Sequence, residues 1–325
     1  MRIAGLVALV CTAIALAALA SDVGNVHDPI TISSNDEFTL ENGVIAGRGT
    51  AEAPYIVAGW TIAAGTQAAI RIQGTSAHFV IRDCHLSGDR RQGIGILLGE
   101  SDLPRAKIEH STFEGLRAGV FAYRNVGVRI ETCSFADCRK GIDGSEADGM
   151  VLRDNQFSAA GEHAIFLWRC HTCVLEANLV ADGQNGFYLD SCRGAALRGN
   201  RVDGAERGIF LWDCFDCIVE GNDLRNCDLG IALVHTSADN TVFHNRLAGN
   251  SRAATCDEAD NRWDNGYPSG GNYWGPRDEA DLLNGPQQDL PGSDGILDSA
   301  LAVPFAGIDR YPLALPPSAS DTGPN

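Results

Sequence analysis

Lysine is nearly missing from this chain of 325 residues: it occurs only at Lys107 and Lys140, so arginine carries almost all the positive charge. Against 25 Lys and Arg stand 42 Asp and Glu, a net charge of -17. That balance excludes nucleic acid as a partner, because phosphate contacts need a surplus of lysine and arginine. Methionine is scarce too. Beyond Met1 there is only Met150, which leaves little thioether for a soft metal. Long hydrophobic runs are absent but for one. MRIAGLVALVCTAIALAALA opens the chain with a single charge, Arg2, and ends in Ala18-Leu19-Ala20 before Ser21-Asp22. A charged start, an apolar stretch and an A-x-A ending predict a secretory signal over residues 1–20; the competing reading is a retained membrane anchor. Cys11 does not suit a lipoprotein signal, since Val10 stands before it where a small residue is wanted. No other stretch is long and apolar enough to span a bilayer. The mature protein is therefore expected to be secreted, periplasmic or at the cell surface, with no transmembrane segment after cleavage. Eleven cysteines less Cys11 leave ten. An even number in an exported chain permits disulfides, but a chain of this size does not depend on them.

What is present is a repeat. Aligned copies read GVFAYRNVGVRIETCSF from Gly119, AIFLWRCHTCVLEANLV from Ala164, GFYLDSCRGAALRGNRV from Gly186, GIFLWDCFDCIVEGNDL from Gly208 and GIALVHTSADNTVFHNRL from Gly230, with a diverged copy from Gly141. The steps between starts are 22 or 23 residues. Cys133, Asn155, Asn178, Asn200, Asn222 and Asn245 keep the same step. Within a copy, apolar residues alternate over four or five positions and are broken by Gly, Asn, Asp or Ser, which is a strand signal and not a helix signal. Strands so short cannot bury a face alone. Stacking the copies about 4.8 Å apart pairs each backbone group with the next coil and builds one core. The predicted fold is all-β: a right-handed single-stranded parallel β-helix, a solenoid of about 22-residue coils. The columns Ile142, Ile165, Phe187, Ile209, Ile231 and Leu167, Leu189, Leu211, Leu233 point inward, and the asparagines stack in a turn where their amides bond along the column. A leucine-rich repeat lacks its L-x-x-L-x-L frame here. Residues 21–68 and 248–315 are expected to cap the two ends, since bare coil ends would polymerise; coils fill 69–247, and 316–325 form a disordered tail.

The alternation also predicts what points outward. One face carries Phe121, Tyr123, Phe166, Trp168, Tyr188, Phe210 and Trp212, with Asp190 between two tryptophans. Exposed aromatics are unfavourable unless covered or used. A flat stripe with polar neighbours, here Asp143, Arg169, His171, Arg207 and Asp213, suits a polysaccharide or glycan, whose apolar faces pack on rings while its hydroxyls bond to the polar groups. The competing reading is a stripe covered by the C-terminal segment or by a second subunit. Asp190, flanked by indoles, is the candidate catalytic acid; a glycosidase needs a second carboxylate, and Asp143 and Asp213 are available.

Three further sets are metal candidates. Cys170, Cys192 and Cys214 form a turn column with steps of about 4.8 Å, compatible with a disulfide or a metal. Cys173 and Cys217, the partners in two C-x-x-C pairs, lie roughly 9.6 Å apart, too far for one ion. Asp289, Asp294 and Asp298, with Gly292 and Gly295, are the calcium candidates, although their spacing matches no EF-hand loop. No cofactor is required by these patterns.

The repeat frames GIFLWDC and N-x-[FVL], the entry segment His27 to Ile62 and the exit segments NRWDNGYPSGGNYW, SDGILDS and IDRYPL resemble the NosD-like β-helix proteins, exported or periplasmic. The resemblance covers about the whole mature chain. It implies export, the β-helix and, as a metal, copper. Its group includes carbohydrate-active proteins, so a lyase, epimerase or hydrolase on the same face is the alternative function, and a copper-associated accessory protein a further one. The arginine-and-calcium pattern of pectate lyases and the paired aspartates of polygalacturonases are not found.

Overall fold

The computed structural model describes residues 25–100, 106–258, 260–305 and 307–317; the predicted signal peptide and residues 318–325 of the predicted tail lie outside the described residues. The chain winds as a parallel β-helix whose coils have three faces. The first face holds Ala118–Tyr123, Lys140–Ser145 and Leu229–Val234, and the second Arg129–Glu131, Val151–Arg153, Val174–Glu176, Ala196–Arg198 and Ile218–Glu220. The third holds Thr112–Glu114, Ser134–Ala136 and Asp223–Arg225. In the middle coils the third face runs through its corner into the next first face as single strands, Gln156–Trp168, Leu179–Asp190 and Arg201–Trp212. First and third faces thus merge into one 16-stranded sheet, and the second face is a 10-stranded sheet. One 23-residue step of the repeat is absorbed at this corner, where the pairing of Gln156–Trp168 with Leu179–Asp190 slips by one residue between Ala160 and His163, a β-bulge.

Coil on coil, the pairing is parallel. Ile142 lies opposite Ile165, then Phe187, Ile209 and Ile231, and Leu167 opposite Leu189, Leu211 and Leu233. All are fully buried. Phe113, Phe135 and Phe157 stack at 4.6 and 4.8 Å, one coil apart. A Cβ at Gly141 would lie 2.5 Å from the Phe157 ring and 2.6 Å from the Ala164 carbonyl oxygen, and at Gly186 and Gly208 it would lie 2.6 Å from the carbonyl of the next coil's glycine; this close approach of coil to coil is why glycine recurs at the head of the repeat.

The second turn of these coils carries a residue in left-handed backbone, such as Asp154, Ala177 or His244, followed by the asparagine. Each asparagine is buried and bonds along the stack. Nδ2 donates to the next Oδ1 from Asn155 to Asn178 at 3.0 Å, Asn178 to Asn200 at 3.0 Å, Asn200 to Asn222 at 2.9 Å, Asn222 to Asn245 at 2.9 Å and Asn245 to Asn272 at 2.9 Å. The same Oδ1 atoms accept a backbone N–H, and Nδ2 also donates to a carbonyl of the preceding coil, as from Asn200 to Leu175 at 2.8 Å. The ladder ends on a carboxylate: the Asn272 N–H donates to Asp309 Oδ2 at 2.8 Å, and Trp274 Nε1 to the same oxygen at 2.7 Å.

Parallel pairing extends past both ends of the predicted coils. Ile30–Ile32 pairs with Ala68–Ile72 and Tyr55–Ala58 with Phe79–Arg82, while Arg252–Cys256 pairs with Leu229–Val234. Beyond this the edges are closed. Phe38 stacks on Tyr55 at 4.5 Å at one end. At the other, Trp263 is fully buried, and Arg310 grips Asp264 through two donors at 2.9 and 2.6 Å.

Asn200→Ala strands the N–H and carbonyl groups that its amide satisfies. The unfolding free energy should fall by about 2–3 kcal/mol, read as a lower urea midpoint at unchanged slope, against under about 0.5 kcal/mol for the exposed Ser158→Ala. Equal losses in the two variants would refute the ladder's role.

Candidate functional site

The stacking register aligns the first face into three outward columns. The first runs Lys140, His163, Asn185, Arg207, Leu229, Arg252. The second runs Phe121, Asp143, Phe166, Tyr188, Phe210, and the third Tyr123, Ser145, Trp168, Asp190, Trp212. All seven predicted aromatics therefore share one face. They are half-buried, and Trp212 is 36% exposed. Described hydrogen bonds of residues 260–317 run to one another and to the last coils, not to this face.

The stripe differs from a flat platform in two ways. First, the rings stack on one another along the axis, Tyr188 on Phe210 at 4.9 Å and 25°, Trp212 on His235 at 4.7 Å and 20°. Rings stacked along the axis turn their edges outward, and this follows from a coil step close to aromatic stacking distance. Second, the stripe is broken. Asp143 interrupts the second column, buried and paired to Lys140 at 2.8 Å, and the Lys140 ammonium sits 4.0 Å over the Phe166 ring. Phe121 and Tyr123 are thereby separated from the main cluster and line a groove of about 600 Å³ with Ser33, Arg71, Gln73 and Leu97. In the third column Asp190 occupies the gap between Trp168 and Trp212, which are two coil steps, roughly 9.6 Å, apart. Its Oδ1 accepts the Ser191 hydroxyl at 2.7 Å. Arg169 lies 4.5 Å over Trp168, and Arg207 5.1 Å over Phe210. Asp213 accepts bonds from the His235 ring at 2.5 Å and the Thr236 hydroxyl at 2.6 Å. These bonds, Thr236 foremost, hold its carboxyl below the usual range. His171 pairs with Asp148 at 2.9 Å on the neighbouring turn.

His163, which period-two reading passes over because it lies at the corner, is central. It touches Phe166 and Tyr188, both at 5.0 Å, and its Nδ1 is buried without a partner among the described residues. Burial first, then Lys140 and Arg207, push its pKa from 6.5 down to about 4, against the pull of Glu162. The ring is neutral at pH 7.

The metal candidates do not converge. Cys170, Cys192 and Cys214 form the expected column, but they point into the core and are free thiols, like all ten described cysteines. Each Sγ lies against backbone carbonyls, at 3.4 Å from Trp168, 3.4 Å from Asp190 and 3.3 Å from Trp212 respectively. The three are buried thiols packed as small apolar groups, with no disulfide among the described cysteines. Cys192, held between Cys170 and Cys214 and buried, is pushed far above the ordinary thiol range; burial takes Cys84 to about 11 and Cys133 to about 12. In the tail, Asp298 accepts the Leu282 and Leu283 N–H groups, and Asp294 accepts the Gln288 amide and the Ile296 N–H. Both are occupied in closing turns, and Asp289 does not join them. Among the described residues no three His, Cys, Asp or Glu side chains are placed to hold a metal.

Fold and face together define a parallel β-helix protein with a single patterned outer face. More than half of the chain, residues 82–278, matches the family described as periplasmic copper-binding protein (NosD), and the chain belongs to that family. It is similar in structure to a mutant of the periplasmic alginate epimerase AlgG, at TM-score 0.42 and 13% identity over 74% of this chain and 70% of that one. The A-module of Azotobacter vinelandii mannuronan C-5 epimerase AlgE6 gives 0.36 and 13%, over 61% and 76%. The Dettilon tailspike protein gives 0.38 and 10%, over 65% of this chain and 63% of the tailspike's own length. No curated protein matches the chain. No helix of the described residues is long and apolar enough to cross a membrane. The copper in the family's description finds no fitting donor set among the described residues, where these core thiols lie against backbone carbonyls.

Two outcomes follow. At neutral pH a thiol reagent should leave the native protein unlabelled and label its cysteines once it is unfolded; rapid native labelling would contradict the buried column. Stability should be unaffected by His163 above pH 6.5 and fall as the pH drops from there to about 4, because the unfolded chain then takes up a proton that the folded chain refuses. In His163→Gln that part of the slope should vanish; an unchanged slope would show that the ring titrates normally.

Proposed function

We propose that this is an exported, periplasmic or secreted protein that binds a polysaccharide or glycan along its first face and does not turn it over. The observation that carries this reading is the third column, in which Trp168 and Trp212 flank Asp190 on a face free of hydrogen-bonded cover among the described residues. Indoles supply apolar surface for a sugar ring, and a carboxylate between them accepts hydroxyl hydrogen bonds. The coil step is about the length of one pyranose unit, so a chain lying along the axis meets the same pattern at successive residues. The neighbouring rings Phe166, Tyr188 and Phe210 extend the apolar strip.

Binding is favoured over catalysis by what surrounds the other carboxylates. Glycoside hydrolysis uses two of them at a set separation. Asp143 is buried against Lys140, and Asp213 is held by His235 and Thr236, so neither stands ready beside Asp190. The periplasmic description of the family agrees with an exported protein.

Retention of the purified protein on a glycan array or affinity gels tests the reading. Trp168→Ala/Trp212→Ala should weaken retention roughly tenfold or more, while Asp190→Asn should weaken it modestly. Turnover of a retained glycan, abolished in Asp190→Asn, would replace binding by catalysis. Absence of retention on any glycan would end the proposal.

A further inference from the structure

The first column of the site is basic. Lys140, His163, Asn185, Arg207, Leu229 and Arg252 stand in one line on successive coils; His163 is neutral at pH 7 and Lys140 is paired with Asp143, so Arg207 and Arg252 are the column's unpaired cations among the described residues. In a chain of net charge -17 such a line is not a product of composition. Elsewhere on the solenoid the same coil-to-coil register sets arginine beside acid: Arg124 with Glu146, Arg153 with Glu176, Arg193 with Asp216, Arg198 with Glu220. On this face Arg207 and Arg252 have no carboxylate within salt-bridge distance among the described residues, nor does Arg169 at the far side of the strip. Arg207 instead donates to the Asn185 amide oxygen at 3.2 Å and lies over the Phe210 ring. That contact holds the guanidinium beside the aromatic column with most of its donors unused. The nearest acids in sequence, Glu206 and Asp228, immediately precede Arg207 and Leu229, and neither carboxylate forms a salt bridge with the column among the described residues. Burial above all depresses the pKa of His163, and Lys140 and Arg207 add to the shift against the pull of Glu162.

On the reading that this face binds a glycan, we infer that the ligand is an acidic one, carrying carboxylate or sulfate groups that lie along the Lys140–Arg252 column while its sugar rings lie over Phe166, Tyr188 and Phe210. The acidic groups pair with Arg207 and Arg252 through charge-assisted hydrogen bonds, for which the planar guanidinium fork is suited. The net negative charge of the protein does not prevent this. Beyond a Debye length of about 8 Å at physiological salt the remaining acids are screened, and short-range contacts decide the affinity. The Asp190 gap is left to hydroxyls, because an acidic group there would meet a carboxylate.

The experiment compares retention of the full purified protein on charged polymers and their uncharged counterparts: polygalacturonate against its carboxyl-reduced form, and dextran sulfate against dextran. Retention on a charged member only, falling with salt and weakened roughly tenfold in Arg207→Gln/Arg252→Gln, is the expected result, and the two pairs distinguish carboxylate from sulfate. The melting temperature of the variant should fall only slightly, since Arg252 is exposed and Arg207, half-buried, gives up one bond to Asn185 and its place over Phe210. Equal retention on charged and uncharged polymers, lost in Trp168→Ala/Trp212→Ala, would overturn the acidic ligand and leave the glycan reading standing. Retention on charged polymers that is indifferent to both arginines would overturn it as well. No retention on these polymers, with retention on other neutral glycans, overturns the inference alone; no retention on any glycan overturns both.

Discussion

The amide ladder from Asn155 to Asn272 governs this structure. Each rung uses one side chain to satisfy a backbone N–H, a carbonyl and the next amide, all at a buried turn where unpaired polar groups would be destabilising. The rungs point the same way, each amide donating toward the C-terminal end as far as Asn272, whose own amide donates to the Val242 and Trp263 carbonyls and whose backbone N–H donates to Asp309. A chain of aligned amides is cooperative in the way such networks are in low dielectric. Because the rungs fix which residue sits on which, every column is fixed with them, and a slip by one residue would turn the outward rings inward. The functional face is therefore a consequence of the turn.

A face made in this manner has a particular character. Its groups repeat at the coil step, and their spacing is set by backbone pairing, not by loop conformation. Rings at this step stack on each other and show their edges. Cations borne on the same strands settle over the ring faces that remain, as Lys140 does on Phe166 and Arg169 on Trp168. The gaps arise where a carboxylate replaces a ring, at Asp143 and Asp190. One gap is closed by Lys140; the other lies between two indoles. The thiols, by contrast, belong to the core. Their column follows the same register, but it points inward and is packed against carbonyls, so it serves burial.

The sequence made most of this legible. Period-two alternation placed Ile165, Leu167 and their equivalents inside and Phe166 and Trp168 outside, and the Asn step gave the stack. It did not show which way a ring faces. Alternation gives the side of the sheet, whereas the plane of Tyr188 depends on its contact with Phe210 in the next coil. Nor did it show that Asp143 is taken by Lys140, because the pair lies three residues apart on Lys140–Ser145, outside strict alternation. His163 was hidden because it lies beside the bulge within Gln156–Trp168, where the alternation slips. At the N-terminal end Ile30–Ile32 and Tyr55–Ala58 pair parallel with the next coil, while Val44–Ala46 pairs antiparallel with Tyr55–Ala58, and that irregularity is why the repeat is not legible there. In the tail, closely spaced aspartates suggested calcium, but Asp294 and Asp298 cap turns, a use that composition does not distinguish from ligation.

The account's central claim is that the first face is a binding surface laid out by the coil register. A crystal structure of the protein with an acidic oligosaccharide tests it most directly. The claim predicts sugar density along the axis over Phe166, Tyr188 and Phe210, with acidic groups at Arg207 and Arg252 and a hydroxyl at Asp190. Density confined to another part of the solenoid, or a first face covered by a second copy of the chain in solution as well as in the crystal, would contradict it.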